Sequence, residues 1–226
     1  MRIPLFSLIF YCLALIYSIL VQSYLLLILV AVIFYLRSLQ PLLAEWSVRS
    51  RLLSELKLNP ANQDTQLKLI ESLIKLRQFK AAQVFLEQLG ETSVEPNALS
   101  FLQAQIDFGL KNHNRALQDL EKIQDPKFKY GEALFLRSLT LMKLQSWERA
   151  QQDLKEFLKI NTSSVEAYFH LAKIQVRLGL RQEASQTRKE GLSTYLSLPY
   201  FRAKKERKWY FLLLFRFDRL LSVCTY

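Results

Sequence analysis

Four alanines, Ala82, Ala116, Ala150 and Ala184, stand at a strict interval of 34 residues, and Leu76, Leu110, Leu144 and Leu178 keep step with them. A fixed period of this length means a stack of similar units, each too small to bury its own apolar face. Within a unit the apolar residues recur at helical spacing, as in Leu67, Ile70, Leu73 and Ile74 and then Phe79, Ala82, Phe85, Leu86 and Leu89. Short breaks at Arg77-Gln78, Lys111-Asn112, Gln145-Ser146 and Gly179-Leu180 divide each unit into two helices. An alanine at the same place in every second helix lets paired helices approach closely. No alternating apolar pattern is long enough for a strand. The fold class is all-α, a solenoid.

Setting the alanine at position 20 of each unit gives four repeats, 63–96, 97–130, 131–164 and 165–198. This frame resembles the tetratricopeptide repeat, which asks for large residues at positions 4 and 11, Leu at 7, a small residue at 8, Ala at 20 and Pro at 32. The fourth unit fits best, with Ala167, Tyr168, Leu171, Ala172, Leu178, Gly179 and Ala184 in frame. The small position 8 holds Ala104, Ser138 and Ala172 but Ile70 in the first unit. Position 17, aromatic in the family, reads Phe79, His113, Trp147 and Arg181. Pro60 falls at position 32 of a preceding unit, so 38–62 reads as a linker carrying a half-repeat helix.

Before the stack, Ile3 to Leu36 form a run of 34 residues without a charge. About 18 apolar residues are enough for a membrane-spanning helix. As one straight helix this run would be roughly 51 Å long, well beyond a ~30 Å hydrocarbon core. Residues 1–37 are therefore a transmembrane anchor, either one tilted helix or a hairpin turning near Gln22-Ser23. The hairpin is preferred, because Arg2 on one flank and Arg37, Arg49, Arg51 and Lys57 on the other then both face the cytoplasm. A cleaved signal peptide is disfavoured by the length of the run and the lack of a small-residue cleavage site. The expected place is an integral membrane protein, in a bacterial inner membrane with the repeats on the cytoplasmic side.

The formal net charge is +11, and part of the excess lies near the end. From Arg202 to Arg219 seven Lys/Arg residues face only Glu206 and Asp218. Beside a membrane such a cluster attracts anionic headgroups. Nucleic acid is the weaker reading, since no nucleic-acid fold accompanies the basic residues. The segment 199–226 continues with seven apolar residues, Trp209 to Phe215, too few to span a bilayer. They either cap the open end of the last repeat, which is preferred, or lie at the membrane interface. The membrane-interface residues would be Arg202, Lys204, Lys205, Arg207, Lys208, Trp209 and Tyr210.

Catalytic and cofactor chemistry find no support. There are five glycines and no G-x-G element to cradle a phosphate. Cys12 and Cys224 belong to no paired spacing, and two histidines are too few for the usual metal clusters. His113 reads as a packing residue and His170 as a solvated side chain. No enzyme activity, cofactor or metal is expected.

The resemblance implies that the first helix of each unit lines a concave groove through positions 2, 5, 9, 12 and 13. Position 5 reads Leu67, Phe101, Phe135 and Phe169, and position 12 includes Phe108 and Met142. Lys173 and Arg177 add a cationic spot in the fourth unit. These eight residues are the expected partner-binding groove, apart from those that belong to the inter-helix core. The family's carboxylate clamp, Lys at 5 and Asn at 9, is replaced by Leu67 and Glu71, then by Phe101 and Gln105. The expected function is a membrane-anchored adaptor holding a protein partner for assembly, biogenesis or quality control of a membrane or envelope component. The layout is similar to bacterial proteins tied to lipopolysaccharide regulation, haem biosynthesis and photosystem assembly. Two other readings stay open: a lipid or nucleic-acid binder acting through the basic segment, and a structural subunit of a membrane complex. Oligomeric state is not legible.

Overall fold

The computed structural model describes residues 43–89, 95–123 and 129–215, together with the pairs 24–25, 28–29, 32–33, 35–36 and 39–40. Two compact units are separable, Met1–Ala61 and Asn62–Tyr226. In the first, residues 43–58 form a continuous helix, α1. Most of the uncharged run, and Cys12, lie outside the described residues. Among those described, no helix is long and apolar enough to cross a membrane.

The second unit contains, among its described residues, nine helices and no strand. They pair as α2 (Gln63–Lys75) with α3 (Phe79–Leu89), α4 (Pro96–Gly109) with α5 (His113–Glu121), α6 (Tyr130–Lys143) with α7 (Trp147–Ile160), and α8 (Val165–Arg177) with α9 (Arg181–Ser197). The last helix, α10 (Tyr200–Phe215), packs against α8 and α9.

The repeat frame is written into the packing. Ala82, Ala116, Ala150 and Ala184 are all fully buried, and so are the position-8 residues Ile70, Ala104, Ser138 and Ala172. All but Ile70 are Ala or Ser, small enough at a helix crossing to leave room for the facing helix. Ser138 keeps its hydroxyl satisfied by donating to the Phe135 carbonyl, 2.6 Å away. Two first helices also carry N-caps. The Asn62 side chain accepts from the Thr65 amide and the Ser164 hydroxyl from the Ala167 amide, each at 3.2 Å.

Each first helix stops in the same way. Arg77, Lys111, Gln145 and Gly179, again 34 residues apart, have φ of 58°, 69°, 61° and 77°. The amide after each returns to a carbonyl five residues back, as in Gln78 to Leu73 (2.9 Å) and Leu180 to Gln175 (2.8 Å). This is the left-handed helix stop that glycine adopts without steric cost. Only the fourth unit uses glycine. A non-glycine residue there costs about 1–2 kcal/mol, offset partly by the ~0.5–1 kcal/mol entropic cost of a glycine. Replacing Arg77, Lys111 and Gln145 together by glycine should therefore stabilise the stack by about 2 kcal/mol and raise its Tm by roughly 5 °C. Unchanged or lower melting would mean that these side chains stabilise the turns in some other way.

At position 17, Phe79, His113 and Trp147 are half-buried and Arg181 is exposed. The His113 ring lies 5.4 Å from that of Phe108. Burial holds its imidazole below the ordinary range, and the nearby Lys143 and Lys111 add to the effect. The neutral form is thus favoured on folding, and the contribution is present in full above the unfolded value near 6.5. It is lost as pH falls through the lower folded value. His113→Phe should flatten the fall in Tm measured between about pH 6.5 and 5.

Candidate functional site: the groove and its closed end

The position-5 row begins with Leu67, half-buried on α2. Phe101 is 3% exposed and packs with Ala104, Leu120, Ile123 and Ala133, while the Lys129 ammonium stands 5.7 Å from its ring centre. Phe135 is half-buried, with its ring 5.0 Å from that of Phe157. Phe169 is 9% exposed and sits under Trp209 of α10, ring to ring at 5.4 Å. The open phenylalanine track expected from the sequence is thus interrupted. Phe101 and Phe169 are core, and only Phe135 keeps a substantial face to solvent. Position 12 is likewise inter-helix packing, with Phe108 against His113 and Met142 against the Leu134–Leu154 cluster.

What remains open is a concavity of about 310 Å³ between the second and third units. Phe101, Phe135, Leu136 and Phe157 form its apolar part, while Gln105, Glu132 and Asn161 bring polar groups to it. Gln105, at position 9, and Glu132, at position 2, occupy groove positions of their repeats. Three aromatic rings beside two carboxamides can receive one apolar side chain of an extended segment and hydrogen-bond the backbone around it. Gln105 and Asn161 were not singled out from sequence. Gln105 was legible as a groove position, but Asn161 closes α7 and reaches the site only through the fold.

Lys173 and Arg177 lie further along α8, half-buried and exposed respectively, and do not line this concavity.

The fourth-unit end of the groove is filled by α10. Leu213 is 0% exposed and clusters with Val165 and Phe169. A Cβ on Gly191 would come within 2.7 Å of the Tyr168 Cβ and 2.9 Å of the Leu213 Cδ1, so side chains of α8 and α10 pack directly on the α9 backbone here. The Tyr210 ring stacks on Tyr195 at 4.2 Å. Polar bonds fix the ends. The Glu166 amide donates to the Glu206 carboxylate (3.1 Å), and Arg202 donates to the Ser163 hydroxyl (2.8 Å). Arg188 donates to the Leu213 and Leu214 carbonyls, each at 2.9 Å, satisfying acceptors that a helix end leaves free. Burial pushes the Glu206 carboxyl up, although the Glu166 and Val165 amides and Arg202 draw it back. Trp209 and Tyr210, expected at the membrane interface, are therefore turned into the repeat stack, and Arg202 is hydrogen-bonded to it.

His170 departs from the solvated side chain expected of it. Its side chain is 14% exposed. The rings of Trp209, Phe169 and Phe135 stand 5.2, 5.4 and 6.2 Å away. The aromatic contacts run without a break from Phe157 through Phe135 and His170 to Trp209.

No family model and no curated protein matches the sequence. Among solved structures the chain is similar to MamA from Desulfovibrio magneticus RS-1, at 13% identity and a TM-score of 0.59, over 68% of this chain and 86% of that one. It is similar to YrrB, described as a TPR protein with an unusual peptide-binding site, at 14% identity and a TM-score of 0.53, over 76% and 92%. A third is a tetratricopeptide repeat protein from Parabacteroides merdae ATCC 43184, at 20% identity and a TM-score of 0.54, over 79% and 70%. What is shared at these identities is the fold: the four helix pairs have the tetratricopeptide-repeat architecture.

Proposed function

We propose that this chain is a membrane-anchored scaffold that docks an extended segment of a protein partner in the concavity between its second and third repeats. The observation that carries the reading is the concavity itself, where Phe135 and Phe157 stand beside the carboxamides of Gln105, at a groove position, and Asn161, at the end of α7. Repeat stacks of this architecture present such surfaces to partners. The peptide-binding site named for YrrB lies on a similar fold. Lys173 and Arg177 would meet an acidic part of the partner further along α8. The uncharged run up to Leu36 supports attachment to a bilayer, and its basic flanks support a cytoplasmic placement of the repeats in a bacterial inner membrane. In that setting the scaffold serves assembly, biogenesis or quality control of a membrane or envelope component.

The test is affinity purification of the full chain in mild detergent, followed by mass spectrometry, beside two variants. Gln105→Arg fills the concavity from an edge position, and Phe135→Ala removes an aromatic wall. Loss of an anchor of this kind weakens binding by about 2 kcal/mol or more, roughly thirtyfold. Both variants should lose the same partner while Gln105→Arg keeps the wild-type melting temperature. A partner retained by both would place the working surface elsewhere.

A further inference from the structure

The docking of α10 leaves it two-sided. Its inward face is set by Glu206, Trp209, Tyr210 and Leu213, each tied to α8 or α9 as described. The outward face carries Phe201, Lys204, Lys205, Lys208, Phe211 and Phe215, all exposed. At about 100° per residue these six share roughly one third of the helix circumference, opposite the buried side. Phe201 and Phe215, at the two ends, are 67% and 69% exposed, and Phe211 is 49% exposed. Lys208 also stands over the Trp209 ring at 4.9 Å, and Phe201 and Lys205 border a shallow concavity with Ser163 and Ser164. All six side chains nevertheless stay exposed once the cap is seated, and Phe211 and Phe215 meet no residue of α8 or α9 in the ring contacts described. The helix as a whole shows no single apolar stripe, because both faces hold aromatics.

We propose that this outward face is a contact surface for an anionic bilayer, with Lys204, Lys205 and Lys208 at the headgroups and Phe201, Phe211 and Phe215 entering the interface. Charge complementarity selects the occupant. The stripe is cationic throughout its middle, with no acidic residue on it. Lysines on flexible stems suit a fluid layer of phosphates, and phenylalanine rings suit the apolar zone beneath. The surface therefore differs from the set legible in the sequence. Arg202, Arg207, Trp209 and Tyr210 leave it, and Phe201, Phe211 and Phe215 join it. The proposal rests on membrane attachment of the chain only to bring α10 within reach of lipid, and it concerns a different surface from the partner-binding concavity.

The experiment uses the full chain with Cys12 and Cys224 changed to Ser, reconstituted into vesicles containing brominated lipid. An environment-sensitive probe is placed by Phe211→Cys, or by Val84→Cys on α3 as the control. In vesicles of phosphatidylcholine with phosphatidylglycerol the probe at 211 should be quenched and the probe at 84 should not. Quenching should fall to the level of the control in phosphatidylcholine alone and at about 1 M salt, where the Debye length is only about 3 Å. Lys204→Glu with Lys205→Glu should abolish it while melting stays unchanged. The proposal is overturned if the two probes behave alike in anionic vesicles, or if quenching survives charge reversal. It is equally overturned if the 211 probe becomes shielded without lipid as protein concentration rises, which would make the face a contact between copies. Carbonate extraction of the same vesicles reads the membrane attachment separately.

Discussion

Arg137→Leu is expected to destabilise the repeat stack by about 3–5 kcal/mol and to lower its Tm by roughly 10 °C. Arg137 on α6 donates from Nε and Nη2 to the two carboxylate oxygens of Asp153 on α7, at 2.7 and 2.8 Å. The Asp153 side chain is 8% exposed and that of Arg137 26%. A fork-to-fork pair in this setting joins the two helices of the third unit at two points. The Asp153 carboxylate raises the guanidinium's affinity for its proton. Removing the arginine leaves a buried carboxylate without its counter-charge, and that uncompensated charge, more than the lost attraction, sets the size of the effect. The second variant separates the two. Arg137→Leu combined with Asp153→Leu removes both charges and should recover most of the loss, because two apolar residues can replace a buried pair at little cost. Arg137→Lys should fall between, since an ammonium cannot match both oxygens. Hydrogen exchange should localise the damage to α6 and α7, as stability in stacked repeats is carried by neighbours. A single-variant loss below about 1 kcal/mol would mean that water reaches Asp153 freely.

The same pair shows where the sequence was legible and where it was not. The 34-residue frame placed the alanines and the inter-helix breaks, because packing at a helix crossing favours small residues and the requirement recurs in each unit. Arg137 stands at position 7, where the frame asks for leucine. A charge at a core position was a signal that a buried partner must exist, and Asp153, 16 residues on, is that partner. The groove was harder. Phe101, Phe135 and Phe169 share one repeat position, yet their exposures differ because different neighbours cover them. Trp209 closes over Phe169 from 40 residues away, and no periodicity relates the two. His170 was misread for the same reason: one repeat supplies its place on the helix, while the rings around it come from α6, α8 and α10. Periodic sequence encodes what every repeat shares, and the working surface is made of what they do not share.

Leu213→Asp is expected to release α10 from the fourth repeat while leaving the four helix pairs folded. Leu213 is fully buried beside Val165, Phe169 and Gly191, and the Arg188 guanidinium next to it is already engaged by the Leu213 and Leu214 carbonyls. Burying that charge unpaired would cost several kcal/mol. The loss to the whole unit is nevertheless limited to the free energy of docking one helix, because α10 can lift off instead of accepting the charge. Its described partners are α8 and α9, so its release leaves the packing between the four helix pairs in place. Three readouts follow from the released state. Trypsin should cut at Lys204, Lys205, Arg207 and Lys208 well before it cuts the repeats. Trp209 emission should shift to the red as the indole leaves Phe169 and His170. Hydrogen exchange should rise in 200–215 and at the N-terminus of α8, where the Glu166 amide loses the Glu206 carboxylate. Leu213→Ala sets the comparison, with a loss of about 2–5 kcal/mol for a buried leucine and α10 still seated. Uniform unfolding of all four pairs by Leu213→Asp would show that α10 is an indispensable part of the stack. Selective release would show that the closed end of the groove is held by a separable helix, one whose removal extends the groove from Phe135 to Phe169.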